Sequence, residues 1–275
     1  MQKRTRFILV AIFLGIALGL TGVAPVEVRL PLLLAIAGIS YILSAWVLFE
    51  DLKGIEWVTL MVLPVGFTLG AGVFANFLPT AVPSFFGMEF QIETSLLLAR
   101  LFKMLYWLFY VFGMYAVLLV ENIFSVASIR NIQLTRAARS TGFILTLVTG
   151  LFFYTVGLSL KIHYLWIMII TFIVTLALSY SNYWTIDLKN EYSKLVKRFT
   201  ISTAWVLMLL SGVLAFWPVK PFMGGLMITA GLYSILGLLE QRLRNRVFIE
   251  SVYEYIFFSL IIVLVGYLTT SWRGA

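Results

Sequence analysis

Residues 142–160 read GFILTLVTGLFFYTVGLSL and residues 164–180 read YLWIMIITFIVTLALSY, with only Lys161-Ile162-His163 between them. Neither run contains Asp, Glu, Lys, Arg or His. A hydrocarbon layer of about 30 Å takes ~17–25 apolar residues of helix to cross, and both runs reach that length. Neither alternates apolar and polar residues as a membrane barrel strand does. A helix satisfies its own backbone N–H and C=O groups, which acyl chains cannot do for it. The short join makes the two helices antiparallel neighbours, and Pro218 to Pro221 does the same for the runs beside it.

Working outward, seven more runs share this character: Phe7 to Ala24, Leu30 to Phe49, Trp57 to Phe77, Met104 to Val120, Ile201 to Trp217, Phe222 to Leu239, and Tyr255 to Trp272. The expected fold is all-α, a polytopic transmembrane bundle of about nine spans. It forms a single integral membrane domain over residues 1–275, because no polar segment is long enough to bury a core of its own. The first run follows Lys3, Arg4 and Arg6 and resembles a signal peptide. Pro25 after Ala24 makes a poor cleavage site, so the run reads as a retained span.

Composition agrees. The 275 residues are 61% hydrophobic and only 12% charged, against roughly 25% charged in a soluble domain. The formal charge of +8 is divided among short segments between apolar runs. It therefore reads as a topology signal, and nucleic acid is not an expected partner. A nine-span count puts 14 Lys and Arg on one side and 6 on the other. By the positive-inside rule this is N-in and C-out, in a cell membrane. Trp46, Trp57, Trp166, Trp184, Trp217 and Trp272 fall at or just beyond span ends, where amphipathic rings settle.

The chain has no cysteine and one histidine, His163, so thiol chemistry and a multi-His metal centre are excluded. His163 sits in a tight turn and reads as an interfacial polar residue. No cofactor motif is present: there is no Walker A loop, HExxH or GxSxG. The absence of an Asn-x-Ser/Thr sequon fits a prokaryotic source.

Several side-chain groups remain as candidates. On the outer side, Glu89, Glu93, Arg100 and Lys103 lie in segment 78–103, whose helical pattern from Ser95 runs into the fourth span. Arg100 and Lys103 would bind a lipid phosphate, with Glu89 or Glu93 serving as a base, or would snorkel to headgroups. On the cytoplasmic side, Arg136, Arg139, Lys194, Lys197, Arg198, Arg242, Arg244 and Arg246 flank the spans. The periodicity of 187–199 and 239–247 predicts amphipathic interfacial helices resting on anionic headgroups or receiving a protein partner.

Within the spans, Thr171, Thr175 and Ser179 recur on one helical face, for packing or for lining a path. Gly15-x-x-x-Gly19 and Gly66-x-x-x-Gly70 are close-packing signals, and Pro64 predicts a kink. Glu121 and Asn122 are placed at the cytoplasmic end of the fourth span. Spans ending near Val120, Tyr180 and Leu239 are evenly spaced, which equal helix pairs produce without a true repeat.

Three functions fit, in this order: a non-catalytic membrane component acting as scaffold or partner subunit, a lipid or small-solute transporter, and an interfacial enzyme on a lipid-linked substrate. The topology is directly testable. Reporters fused at the two ends should be read on opposite sides of the membrane, and same-side readings would require a different number of crossings.

Overall fold

The computed structural model describes residues 3–49, 52–82, 84–85, 88–89, 91–129, 134–187, 194–244 and 248–270. Ten helices appear among them. They are α1 (Lys3–Thr21), α2 (Val26–Leu48), α3 (Glu56–Thr59), α4 (Val62–Phe74), α5 (Ile92–Ile129), α6 (Thr135–Ser159), α7 (Tyr164–Asp187), α8 (Lys194–Ala215), α9 (Pro221–Leu243) and α10 (Ile249–Thr269). Strands β1 (Ser84–Phe85) and β2 (Met88–Glu89) pair antiparallel. With α3 and α4 taken as one, nine helical segments among the described residues are long and apolar enough to cross a membrane. Each carries one of the runs read from the sequence. Large apolar side chains such as Phe13, Leu105, Trp166 and Phe257 are left exposed along them. That outer surface belongs in acyl chains, as in a multi-pass membrane protein.

The third run is not a single helix. Pro64 lacks an N–H, and its ring collides with the carbonyl four residues earlier, at Leu60. The helix accordingly stops at Thr59 and resumes at Val62, so the kink expected at Pro64 lies one turn upstream as a break. The Thr59 carbonyl near this break accepts the Ser181 hydroxyl of α7 at 2.8 Å. Neighbouring Ser side chains are a usual way to satisfy backbone at such interruptions. The fourth run extends further than its apolar stretch, since α5 continues nine residues past Val120.

Two apolar clusters form the interior. One joins α1, α2, α4 and α5 with the start of α6, and the other joins α6 through α9. Helix α6 lies between them and packs on α4, α5, α7 and α9. The expected hairpins α6–α7 and α8–α9 are both in contact, yet each helix packs more extensively across, α6 on α9 and α7 on α8. Helix α10 leans mainly on α9 and is otherwise uncovered by protein.

Three fully buried tyrosines each bond a threonine of a neighbouring helix. Tyr110 reaches Thr68 at 2.9 Å, Tyr154 reaches Thr175 at 2.8 Å, and Tyr183 reaches Thr203 at 3.0 Å. Thr171, Thr175 and Ser179 are all buried at 3% exposure or less, and Ser179 bonds back to the Thr175 carbonyl. Thr175 is the member of this stripe that bonds across to α6, through Tyr154. Gly66 and Gly70 both face α6, at Thr149 and Phe153 respectively, whereas Gly15 faces α5 and Gly19 meets nothing.

Residues 194–199 are the first turn of α8 and 239–243 the last turn of α9. The remainder of the two expected interfacial helices, 188–193 and 245–247, lies outside the described residues, as does Trp272. Trp184, three residues from the end of α7, is buried at 4% exposure within the first apolar cluster.

The closest backbone approach joins α9 to α6. A Cβ on Gly225 would lie 2.8 Å from the Thr155 backbone nitrogen and 2.9 Å from its Cα. Backbone cannot rotate away as a side chain can. Gly225→Ala should therefore destabilise the protein by ~1–3 kcal/mol in reversible unfolding from mixed micelles. Gly157→Ala, whose Cβ meets nothing within 4 Å, should change stability by no more than ~0.5 kcal/mol.

Candidate functional site

Antiparallel packing gathers the ends of α2, α5, α7 and α9 with the starts of α1, α3, α6, α8 and α10. This basic end contains most of the chain's Lys and Arg residues. Of the cytoplasmic candidates, the structure brings three together. Arg136 and Arg139 from the first turns of α6, and Arg244 just past α9, line one cleft of about 410 Å³. They arrive there because Arg136 and Arg139 are three apart on one helical face, and α9 lies antiparallel against that face.

The cleft has a charged mouth and an aromatic floor. Arg139 donates to the Thr185 carbonyl at 3.3 Å and the Ile186 carbonyl at 3.4 Å, which fixes its guanidinium against the end of α7. Arg244 forms an ion pair with Glu240, four residues earlier on the same helix. Three guanidiniums against one carboxylate leave the cleft with an excess of two positive charges. The Oε1 atom of Gln241 is buried there without a hydrogen-bond partner among the described residues. Below them lie Phe143 and Tyr255, with Tyr233 behind, its ring centroid 5.0 Å from that of Tyr255. Gly237 leaves room at the floor for the Tyr255 ring, which a Cβ there would overlap. Ile144, 60% exposed, forms part of the wall, so the cleft borders the surface that faces lipid.

The other basic candidates do not join this group. Lys194, Lys197 and Arg198 are exposed on the first turn of α8, and Arg242 is exposed on the last turn of α9. Arg246 lies outside the described residues. On the opposite end of the bundle, Glu93 and Arg100 are exposed on α5 and Lys103 is half-buried. The side chain of Glu89 lies outside the described residues.

A second cavity, about 640 Å³, opens beside these outer residues. Its described lining is apolar: Leu78, Pro79, Ala81, Val82, Phe102, Leu105, Tyr106 and Phe109. The Tyr106 hydroxyl is already used, donating to the Ala71 carbonyl at 2.6 Å. His163 caps α7, its Nδ1 accepting from the Leu165 N–H at 3.4 Å and its carbonyl from the Trp166 N–H.

Glu121 is 2% exposed, eight residues before the end of α5, with Oε2 unpartnered among the described residues. It is the one charged residue between Lys103 and Arg130. Comparison with protein-family models, curated proteins and solved structures finds no match.

Proposed function

We propose that this chain is a non-catalytic component of the cell membrane, and that its basic end holds anionic phospholipid headgroups in the Arg136–Arg139–Arg244 cleft. The reading places that end in the cytoplasm, following the Lys and Arg bias. One observation carries it: guanidiniums from two helices converge over an aromatic floor, beside a wall that faces lipid. Guanidinium forks match phosphate oxygens in pairs, and their charge is weakly hydrated. The cytoplasmic leaflet is the anionic one, and each basic residue near it gains about 1 kcal/mol. The aromatic floor suits the glycerol and upper acyl region below a headgroup. Retained in this way, lipid would tie α6 to α9 and α10, the helix least covered by protein.

The scaffold role is supported by the way the interior is used. The Thr171 stripe and the Gly66–Gly70 pair serve helix contacts, and the outer groove has an apolar lining. The exposed cations Lys194, Lys197, Arg198 and Arg242 leave room for a protein partner at the same end.

The test uses the full chain in nanodiscs of either phosphatidylglycerol or phosphatidylcholine. Native mass spectrometry should show retained phosphatidylglycerol and little retained phosphatidylcholine. Arg136→Ala combined with Arg244→Ala, both exposed positions, should reduce that preference about tenfold or more, the equivalent of one to two charge-assisted bonds. Equal retention of the two lipids, or an unchanged preference in the double variant, would remove the basis for the proposal.

A further inference from the structure

Two turns before α5 ends, the sequence Glu121-Asn122-Ile123-Phe124-Ser125 places three oxygen-bearing side chains within one helical turn. At about 100° per residue, Ser125 falls between Glu121 and Asn122, so all three share an arc of about 100°. Glu121 is 2% exposed and Ser125 is 0% exposed. Glu121 Oε2, Asn122 Oδ1 and Ser125 Oγ are each buried without a hydrogen-bond partner among the described residues. Ser44 Oγ on α2, which packs on α5 at the same end, is a fourth such atom.

Chance is a poor account of this group. Most buried hydroxyls elsewhere in the bundle turn back onto their own helix, as Ser40 does to Ala37 O, Thr146 to Gly142 O and Thr149 to Leu145 O. Even Ser128, three residues on, bonds the Ser125 carbonyl at 2.7 Å. Ser125 itself leaves that option unused. An unsatisfied buried polar group costs about 1–3 kcal/mol, and more if charged, so three in one turn call for a missing partner.

For an ionised Glu121 the missing partner is electropositive, because the carboxylate and Asn122 Oδ1 are then both acceptors. It is also small, because Glu121 and Ser125 are almost wholly covered by protein. No group of three His, Cys, Asp or Glu occurs among the described residues, which disfavours a transition metal. Oxygen ligands with a single carboxylate match a hard cation of one positive charge. We propose that the Glu121–Asn122–Ser125 turn binds a monovalent alkali cation of sodium size, neutralised by the Glu121 carboxylate. This goes beyond the lipid-contact reading and is independent of it, since none of these residues lines the arginine cleft.

The experiment measures ²²Na⁺ retention and thermal unfolding of the full-length protein in detergent. Unfolding is followed in NaCl, KCl or choline chloride at equal ionic strength. One sodium per chain is expected, with an unfolding midpoint higher in NaCl than in choline by about 5 °C at saturation. Glu121→Gln keeps the shape and removes the charge, and it should abolish both effects. Ser125→Ala removes one oxygen with little change in volume and should weaken sodium binding about tenfold, so the test stands even if the first variant fails to fold. An identical midpoint in the three salts without ²²Na⁺ retention, or sodium binding that survives in both variants, would overturn the proposal. In the first case the turn holds water or a protonated carboxyl.

Discussion

Every polar group inside this protein has to find its partner within the protein, because the surroundings offer none. That constraint makes the spans helical, and it also decides what the side chains do. Serine and threonine are frequent in the interior, and most of their hydroxyls bond the carbonyl three or four residues back. Such bonds hide a polar group at no demand on neighbouring helices. The bonds that hold helices together are fewer, and several come from tyrosine, whose reach is longer. Tyr110, Tyr154 and Tyr183 each take a threonine hydroxyl across a helix boundary, and Tyr106 takes a backbone carbonyl. Interhelical bonds of this kind average about 0.6 kcal/mol in membrane proteins. Their value here is in fixing which faces meet, while packing of small against large residues, as at Gly225 and Thr155, supplies the closeness.

The same constraint makes its violations informative. Seven buried side-chain atoms lack a partner among the described residues, and six of the seven belong to Ser44, Glu121, Asn122, Ser125, Thr200 and Gln241. All six residues lie toward the basic end. The seventh, Thr155, lies toward the other. A bundle held together only by packing has no reason to collect its unsatisfied groups at one end. That polarity, together with the cleft between α6 and α9, marks the basic end as the one that meets something other than acyl chains.

Much of the fold was legible because hydrophobic length is a strong signal. All nine runs carry the observed helices, and the pairing of neighbours followed from loop length. What escaped were effects of contact between distant residues. Pro64 announced a distortion, yet the break falls at Leu60 and Met61, where its ring would strike the preceding turn. The apolar stretch of the fourth span stops at Val120, but packing of Val120 and Phe124 against Gly142 carries α5 on to Ile129. Trp184 lies near a span end, and its packing into the interior was not legible. Among the cations of the basic end, sequence could name Arg136, Arg139 and Arg244 but not select them. Selection depends on α6 lying antiparallel to α9, and no local pattern encodes that.

Glu121 raises a question of electrostatics that the rest of the molecule sharpens. The chain has an excess of cationic side chains, most of them in segments at this end, yet no Lys or Arg among the described residues forms an ion pair with this carboxylate. Arg139 is committed to the Thr185 and Ile186 carbonyls. An arginine in place of a bound ion would bring a long aliphatic stem and five donors, and it would be permanent. A protein that only needed to neutralise Glu121 would do better with glutamine or an apolar residue, since replacing a buried charge by packing is often stabilising. Retaining the carboxylate beside Asn122 and Ser125 makes sense if its counter-charge comes and goes. A small cation does that, and an arginine cannot.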